Sequence, residues 1–216
     1  NWQAAAKGKE QAILRKELFY IIDASINHFG ARCDMNADGT RLVVGSPGAT
    51  VGGTATKGRV CIYDYDMSLN DWISEPTKVY EGDTGDDAMG TDVALNAAGD
   101  ILVIGIGAYD DVGFTSRGRV DIYHYDYSND QWPDLPTRYY LGDATGDYFG
   151  YSVVINARGD RIAVGAPNQT VNAKTNCGSV YIIDYDHAAG VWPGGDGTEA
   201  PSIPGRILVY SGQSYL

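Results

Sequence analysis

Phe149-Gly150-Tyr151-Ser152-Val153, then Val164-Gly165-Ala166-Pro167, then Gly178-Ser179-Val180-Tyr181 form the stretch from which the fold is read. Sixty residues earlier stands Met89-Gly90, and sixty before that Phe29-Gly30, with no gap in the register. The same spacing carries Asn36, Asn96 and Asn156; Gly45, Gly105 and Gly165; Gly58, Gly118 and Gly178; and Trp72, Trp132 and Trp192. Self-similarity at a fixed period marks one supersecondary unit copied along the chain, each copy covering its apolar faces with its neighbours. Equivalent Gly, Trp and short apolar runs are therefore read first as structural.

Within the third copy, the apolar run 152–156 precedes the turn Ala157-Arg158-Gly159-Asp160, and a second run, 161–164, ends at Gly165-Ala166-Pro167. A Gly between two β-branched runs is a hairpin signal, so these strands pair antiparallel. A polar loop, 168–177, leads to a third strand, 179–185, rich in Val, Ile and Tyr. A loop carrying Trp192 then leads to a fourth strand ending at Tyr210, the counterpart of Tyr80 and Tyr140. Both faces of the first three strands are largely apolar and need cover on each side. Four-stranded antiparallel units stacked face to face make a β-propeller.

The expected fold is all-β: a β-propeller segment of three four-stranded antiparallel blades plus the outer strand of a preceding blade. Residues 1–22 form the tail of that preceding blade, 23–82 the first blade, 83–142 the second and 143–216 the third. Trp2 precedes Tyr20 by the same eighteen residues that separate Trp192 from Tyr210, which identifies the tail. The run from Ala4 to Lys16 has the composition of a short helix, weakened by Gly8. Closed propellers have about four to eight blades. The expectation is thus a segment of a longer protein, its ring completed by missing blades, the alternative being closure with other chains at residues 18–22.

The quoted motifs of the third copy resemble one FG-GAP repeat, the unit of integrin α-subunit propellers and many related extracellular proteins. The first copy keeps Phe29-Gly30 and Gly45-Ser46-Pro47, while the second departs further, with Met89-Gly90 and Gly105-Ile106-Gly107. The resemblance spans roughly residues 18 to 212. It implies an extracellular or cell-surface propeller used mainly for binding, with protein or glycan partners at its loop rims.

Composition fits a folded domain: of 216 residues, 44% are hydrophobic and 20% charged, which excludes a disordered chain. A net charge of −12 argues against a nucleic-acid partner, which needs a basic patch, and favours cations, basic partners or simple solubility. No apolar stretch approaches the ~18 residues of a membrane helix, so no membrane span is expected in this segment.

The candidate sites are few. Asp34-Met35-Asn36-Ala37-Asp38-Gly39-Thr40 begins like a calcium loop, but lacks a late acidic ligand and has Leu42 where the related propellers place an Asp. The other copies put Ala94 and Val154 in place of Asp34, so the hairpin reading is preferred. A more regular acidic set lies in the loops between blades. Together with the loops between second and third strands, these gather Asp83, Asp86, Asp87, Asp110, Asp111, Asp143 and Asp147 on one rim, the expected ligand-binding rim. Asp and Gly there serve first as turn formers. As convergent carboxylates, Asp83, Asp87, Asp143 and Asp147 are the candidate Ca²⁺ ligands.

Trp72, Trp132 and Trp192 fall on the opposite rim and read as blade-to-blade packing residues rather than sugar platforms. Cys33, Cys61 and Cys177 occupy unrelated repeat positions and lack zinc spacing. Cys33 stands where the other copies have Val93 and Val153, so it is expected buried; one disulfide plus a free thiol is the alternative. His28, His124 and His187 lie at unrelated positions with no nucleophile motif, so no catalytic residues are assigned and the chain is read as no enzyme. Asn168-Gln169-Thr170 is an N-glycosylation sequon on a surface loop.

The expected function is that of a non-enzymatic extracellular propeller serving adhesion, ligand binding or assembly of a surface structure. The competing readings are a purely structural repeat in a filament, wall or virion, a lectin-like carbohydrate-binding propeller, and an accessory domain of an enzyme.

Overall fold

The computed structural model describes residues 3–5, 9–11 and 28–194. Every regular element among them is a β-strand. β1 (Gln3–Ala5) and β2 (Lys9–Gln11) pair antiparallel, Ala4 opposite Glu10. The helix expected from Ala4 to Lys16 is thus corrected for its described residues, which pair as antiparallel strands. The outer strand expected near Tyr20 lies outside the described residues, as does the fourth strand expected to end at Tyr210.

Three sheets follow. The first holds β3 (Arg32–Met35), β4 (Arg41–Ser46), β5 (Arg59–Asp66), β6 (Asp71–Trp72) and β7 (Lys78–Glu81), with β6 and β7 both on the far edge of β5. The second is β8 (Met89–Leu95), β9 (Ile101–Ile106), β10 (Arg119–His124) and β11 (Arg138–Leu141), in chain order. The third is β12 (Ser152–Ile155), β13 (Arg161–Ala166) and β14 (Ser179–Asp184). All ladders are antiparallel, and the registers repeat: Val44 faces Cys61, Ile104 faces Asp121 and Val164 faces Tyr181.

The hairpin between the first two strands shows why the repeated Asn is there. Asn36 Oδ1 accepts the N–H of Thr40 and of Arg41, both at 2.9 Å. Asn96 does the same for Asp100 and Ile101, at 3.0 and 3.1 Å, and Asn156 for Asp160 and Arg161, also at 3.0 and 3.1 Å. One side-chain oxygen closes each turn by satisfying two backbone donors. The calcium-like loop is accounted for in this way. Asp38 accepts the Thr40 hydroxyl at 2.6 Å, while Asp34 leaves the loop and accepts the N–H of Leu95 in the next sheet at 2.7 Å.

Successive sheets stack through a main-chain contact at the start of each copy. Met89 pairs in parallel with Gly58, and Phe149 with Gly118. Met89 N–H donates to the Lys57 carbonyl at 3.0 Å and Phe149 N–H to that of Arg117 at 3.1 Å. The apolar interior lies between the sheets. Val43, Val60 and Ile62 of the first sheet meet Leu102 and Ile104 of the second; Val103, Val120 and Ile122 of the second meet Phe149, Ile162 and Val164 of the third. All but Phe149, at 1%, are 0% exposed, and burying each such side chain contributes about 1.5–3 kcal/mol. The two apolar faces of the second sheet are covered by the first and the third.

Two of the tryptophans join the blades. Trp132 is 3% exposed and receives the Arg41 guanidinium of the first blade at 5.3 Å from its ring centre. Trp192 is 2% exposed, and its indole N–H donates to His124 of the second blade at 3.0 Å. The adjoining Pro133 and Pro193 carbonyls accept the hydroxyls of Tyr80 and Tyr140, at 2.8 and 2.6 Å.

The cysteines require one correction. Cys33, expected buried, is exposed, whereas its counterparts Val93 and Val153 are 5% and 3% exposed. Those two valines face a preceding sheet; among the described residues none covers Cys33 in that way. Cys61 is the buried one, its thiol pushed up to about 12 chiefly by burial. All three cysteines are free.

Candidate functional site

Between its second and third strands, each blade projects a short hairpin, closed by reciprocal backbone bonds between Val51 and Thr54, Asp111 and Phe114, and Val171 and Lys174. The loops that open the next blade dock onto these. Ala88 N–H donates to the Thr56 carbonyl at 3.0 Å, Tyr148 N–H to that of Ser116 at 3.1 Å, and Gly146 N–H to that of Thr115 at 2.9 Å. Hairpins and inter-blade loops thus share one rim.

The rim carboxylates lie there but do not converge. Asp87, fully buried, accepts the Thr84 N–H at 2.7 Å and its hydroxyl at 2.8 Å, and the Asp110 N–H approaches it at 3.4 Å. Asp147, 3% exposed, accepts the Ala144 N–H at 2.9 Å, and its carboxyl is raised above the usual range mainly by burial. These two staple their own loops. Asp143 accepts the Tyr181 hydroxyl and the Gln169 amide, both at 2.9 Å, while Asp83 reaches Arg119 at 3.3 Å. Asp110 accepts the Ser116 N–H at 2.7 Å, Asp111 pairs with Arg117 at 2.8 Å, and Asp86 is exposed in the left-handed region at φ 66°. Among the described residues, no group of three or more His, Cys, Asp or Glu is placed to hold a metal ion. Asn168 is exposed, beside the Asp147 carbonyl that its own N–H approaches at 3.4 Å.

Two arginines organise the middle of the rim and were not foreseen from the sequence. Arg117, 7% exposed, donates through Nε to the Gly142 carbonyl at 2.8 Å, pairs with Asp111, and lies 4.2 Å from the Phe114 ring centre. It pins the second hairpin, whose tip holds Val112 at 94% exposure and Phe114 at 36%. Arg119 binds Asp121 at 2.6 Å and stacks on Tyr139 at 4.6 Å. Asp121 is 1% exposed, and burial raises its carboxyl to about 6 against the pull of Arg119. This pair lines a polar cavity of about 210 Å³ with Tyr80, Tyr123 and Asp134. The signal was a departure from the period at Arg117, where the other copies have Lys57 and Cys177, and at Asp121, the partner of Arg119, where they have Cys61 and Tyr181.

Of the histidines, His124 accepts the Trp192 indole and His187 sits 3.3 Å from Asp160. Both serve as inter-blade or surface contacts.

Residues 142–183 match the FG-GAP repeat family. No curated protein sequence matches the chain. Similar solved structures include a protein described as a 6-phosphogluconolactonase (BF1038) from Bacteroides fragilis NCTC 9343, 18% identical over 74% of this chain and 36% of that one, with a TM-score of 0.46. Another, described likewise, comes from Bacteroides uniformis ATCC 8492, at 12% identity over 74% and 37%, TM-score 0.47. A third is the Cps50 (Swd1) β-propeller domain of Myceliophteria thermophila, at 12% identity over 88% and 38%, TM-score 0.44. The chain thus spans 36–38% of the length of these three structures. The described residues thus form three stacked antiparallel sheets in register, of β-propeller architecture, and residues 142–183 match the FG-GAP repeat.

Proposed function

We propose that this chain is a non-enzymatic extracellular propeller segment that binds a protein partner through the hairpin rim. The observation that carries this reading is the second hairpin: Val112 and Phe114 stand out of a loop locked from beneath by Arg117, Asp111 and Gly142. An apolar anchor held rigid before binding loses little entropy on contact, which is what makes a few residues dominate an interface. The FG-GAP match at residues 142–183 supports this reading through the binding role that the resemblance implies. A protein is favoured over a glycan because Trp132 and Trp192, which a sugar platform needs exposed, are buried. Asn168 is open to glycosylation on the same rim.

The test is a binding screen of the immobilised chain against panels of extracellular proteins and of glycans, repeated with the double variant Val112→Asp, Phe114→Ala. The expected result is a protein partner whose affinity falls by at least about tenfold in the variant, at unchanged melting temperature. Binding that survives the double substitution, or that is confined to glycans, overturns the proposal.

A further inference from the structure

The second and third blades are joined at a point where the repeat departs from itself. Near the end of the third strand, equivalent positions hold Asp64, His124 and Asp184. Asp64 pairs with Arg41 at 2.6 Å, and Asp184 with Arg161 at 2.5 Å. In the second blade the place of that arginine is taken by Ile101, which lies opposite His124 in the ladder. With both charges gone from the position, His124 turns to a partner in the next blade. The Trp192 indole N–H donates to His124 Nε2 at 3.0 Å, and Trp192 is 2% exposed. An indole only donates, so Nε2 is the bare nitrogen and the proton of the neutral ring sits on Nδ1.

The equivalent tryptophan at the first junction is held differently. Trp132 lies 5.3 Å from the Arg41 guanidinium of the blade before it, and its own N–H has no hydrogen-bond partner. One junction is thus fastened by a cation that does not titrate, the other by an imidazole that does. Protonation would put an N–H on Nε2, set two donors face to face and leave a buried indole without its acceptor.

We infer that the His124–Trp192 bond is an acid-sensitive latch between the second and third blades: neutral His124 holds the Trp192 indole in the junction, and protonated His124 releases it. The groups around His124 set where it acts. The Thr137 hydroxyl accepts its backbone N–H at 3.2 Å, the Arg138 guanidinium of β11 lines a cavity of about 260 Å³ with it, and the Tyr185 ring of the third blade stands 6.4 Å away. Asp100, from the turn between β8 and β9, is the carboxylate that acts on it, itself held by Asn96 at 2.7 Å and by the Tyr127 hydroxyl at 3.0 Å. Burial outweighs Asp100 and lowers the imidazole below its ordinary 6.5. The latch is therefore closed at neutral pH; its stabilisation is complete above pH 6.5 and is lost as the pH falls through the lowered folded value. The Arg138 bond to the Trp192 carbonyl, at 2.8 Å, involves neither ring, so release acts on the indole and not on the backbone of its loop. None of these residues belongs to the hairpin rim, and the inference does not depend on the function proposed there.

Nuclear magnetic resonance of the ¹⁵N-labelled chain between pH 7.5 and pH 5 tests it, with the Trp192 indole signal assigned by Trp192→Phe. The expected result is a His124 ring protonated on Nδ1 at neutral pH and a Trp192 indole signal that moves with the His124 titration. His124→Gln keeps an acceptor and cannot titrate. At pH 5 the Trp192 indole proton of the wild-type chain should exchange with solvent at least about tenfold faster than in His124→Gln, and at pH 7.5 at a similar rate. Over the same range the folding equilibrium constant of the wild-type chain should fall relative to that of His124→Gln, a ratio from which the opposite pH dependence of Asp121 cancels. A Trp192 signal that ignores the His124 titration overturns the inference, a reading taken on the wild-type chain alone and so independent of how well the variant folds. So does a neutral ring protonated on Nε2, or a wild-type chain and a Gln variant with the same pH dependence.

Discussion

Replacing Gly150 by Ala tests whether the blades are held together by the close backbone approach at the start of each copy. Gly150 has φ +86°, and a Cβ there would collide with the Arg119 carbonyl oxygen and stand 2.9 Å from Val120 Cγ2, both in the preceding blade. Gly113, at the tip of the second hairpin, has φ +82° with nothing within 4 Å of a Cβ. The two positions share a backbone cost of about 1–2 kcal/mol for placing a Cβ in the left-handed region. Only Gly150 adds an overpacking cost of about 1–3 kcal/mol. Gly113→Ala should therefore lose about 1–2 kcal/mol and Gly150→Ala about 2–5 kcal/mol. For a chain of this size each kcal/mol moves the melting temperature by roughly 2–4 °C. Thermal and urea unfolding followed by tryptophan fluorescence reads the difference, since Trp132 and Trp192 are buried at blade junctions. Gly150→Val, β-branched in the same conformation, should cost more than Ala. Equal losses at Gly113 and Gly150 would refute the reasoning, for they would show that the blade junction yields without cost.

Two further predictions concern polar groups. Asn96→Ala leaves the N–H groups of Asp100 and Ile101 without their acceptor in a site where Asn96 is 3% exposed, and should cost about 2–4 kcal/mol in urea unfolding. Asn156→Ala removes the same two bonds at an exposed turn, where water replaces them, and should cost about half as much; equal losses would show that burial does not set the value. Asp121→Asn tests the buried carboxyl. Its folded pKa of about 6 lies above the ordinary value of 3.8, so the folded state holds the proton more tightly than the unfolded one. Its stabilising contribution is then complete below pH 3.8 and is lost as pH rises through about 6. Between pH 7 and pH 5 the wild-type chain should gain stability relative to the Asn variant, measured as the difference in their unfolding free energies. A difference that stays flat or shrinks on acidification would show that Asp121 is not raised.

Much of the architecture is legible because it is local and repeated. Asn36, Asn96 and Asn156 with their glycines specify three hairpins through bonds spanning four or five residues, and the alternating apolar runs on either side supply the strands. A helix was misread at Ala4 to Lys16 because composition records propensity, while cross-strand pairing decides whether it is used. That the rim carboxylates lie in loops is legible from their Asp- and Gly-rich surroundings, but the directions of their side chains are not. Whether Asp87 turns inward to Thr84, or Asp143 outward to Gln169 and Tyr181, depends on partners up to 38 residues away.

By itself, the sequence established the sixty-residue unit, its antiparallel strands and the need for cover on both faces of each sheet, because periodicity and turn chemistry act over short distances. Only the tertiary structure decided which copies receive that cover. Cys33 is open where Val93 and Val153 are shut, and Val180 is open where Val60 and Val120 are shut, although the register makes them equivalents. Burial belongs to the pair of sheets in contact, and no single repeat encodes its neighbour.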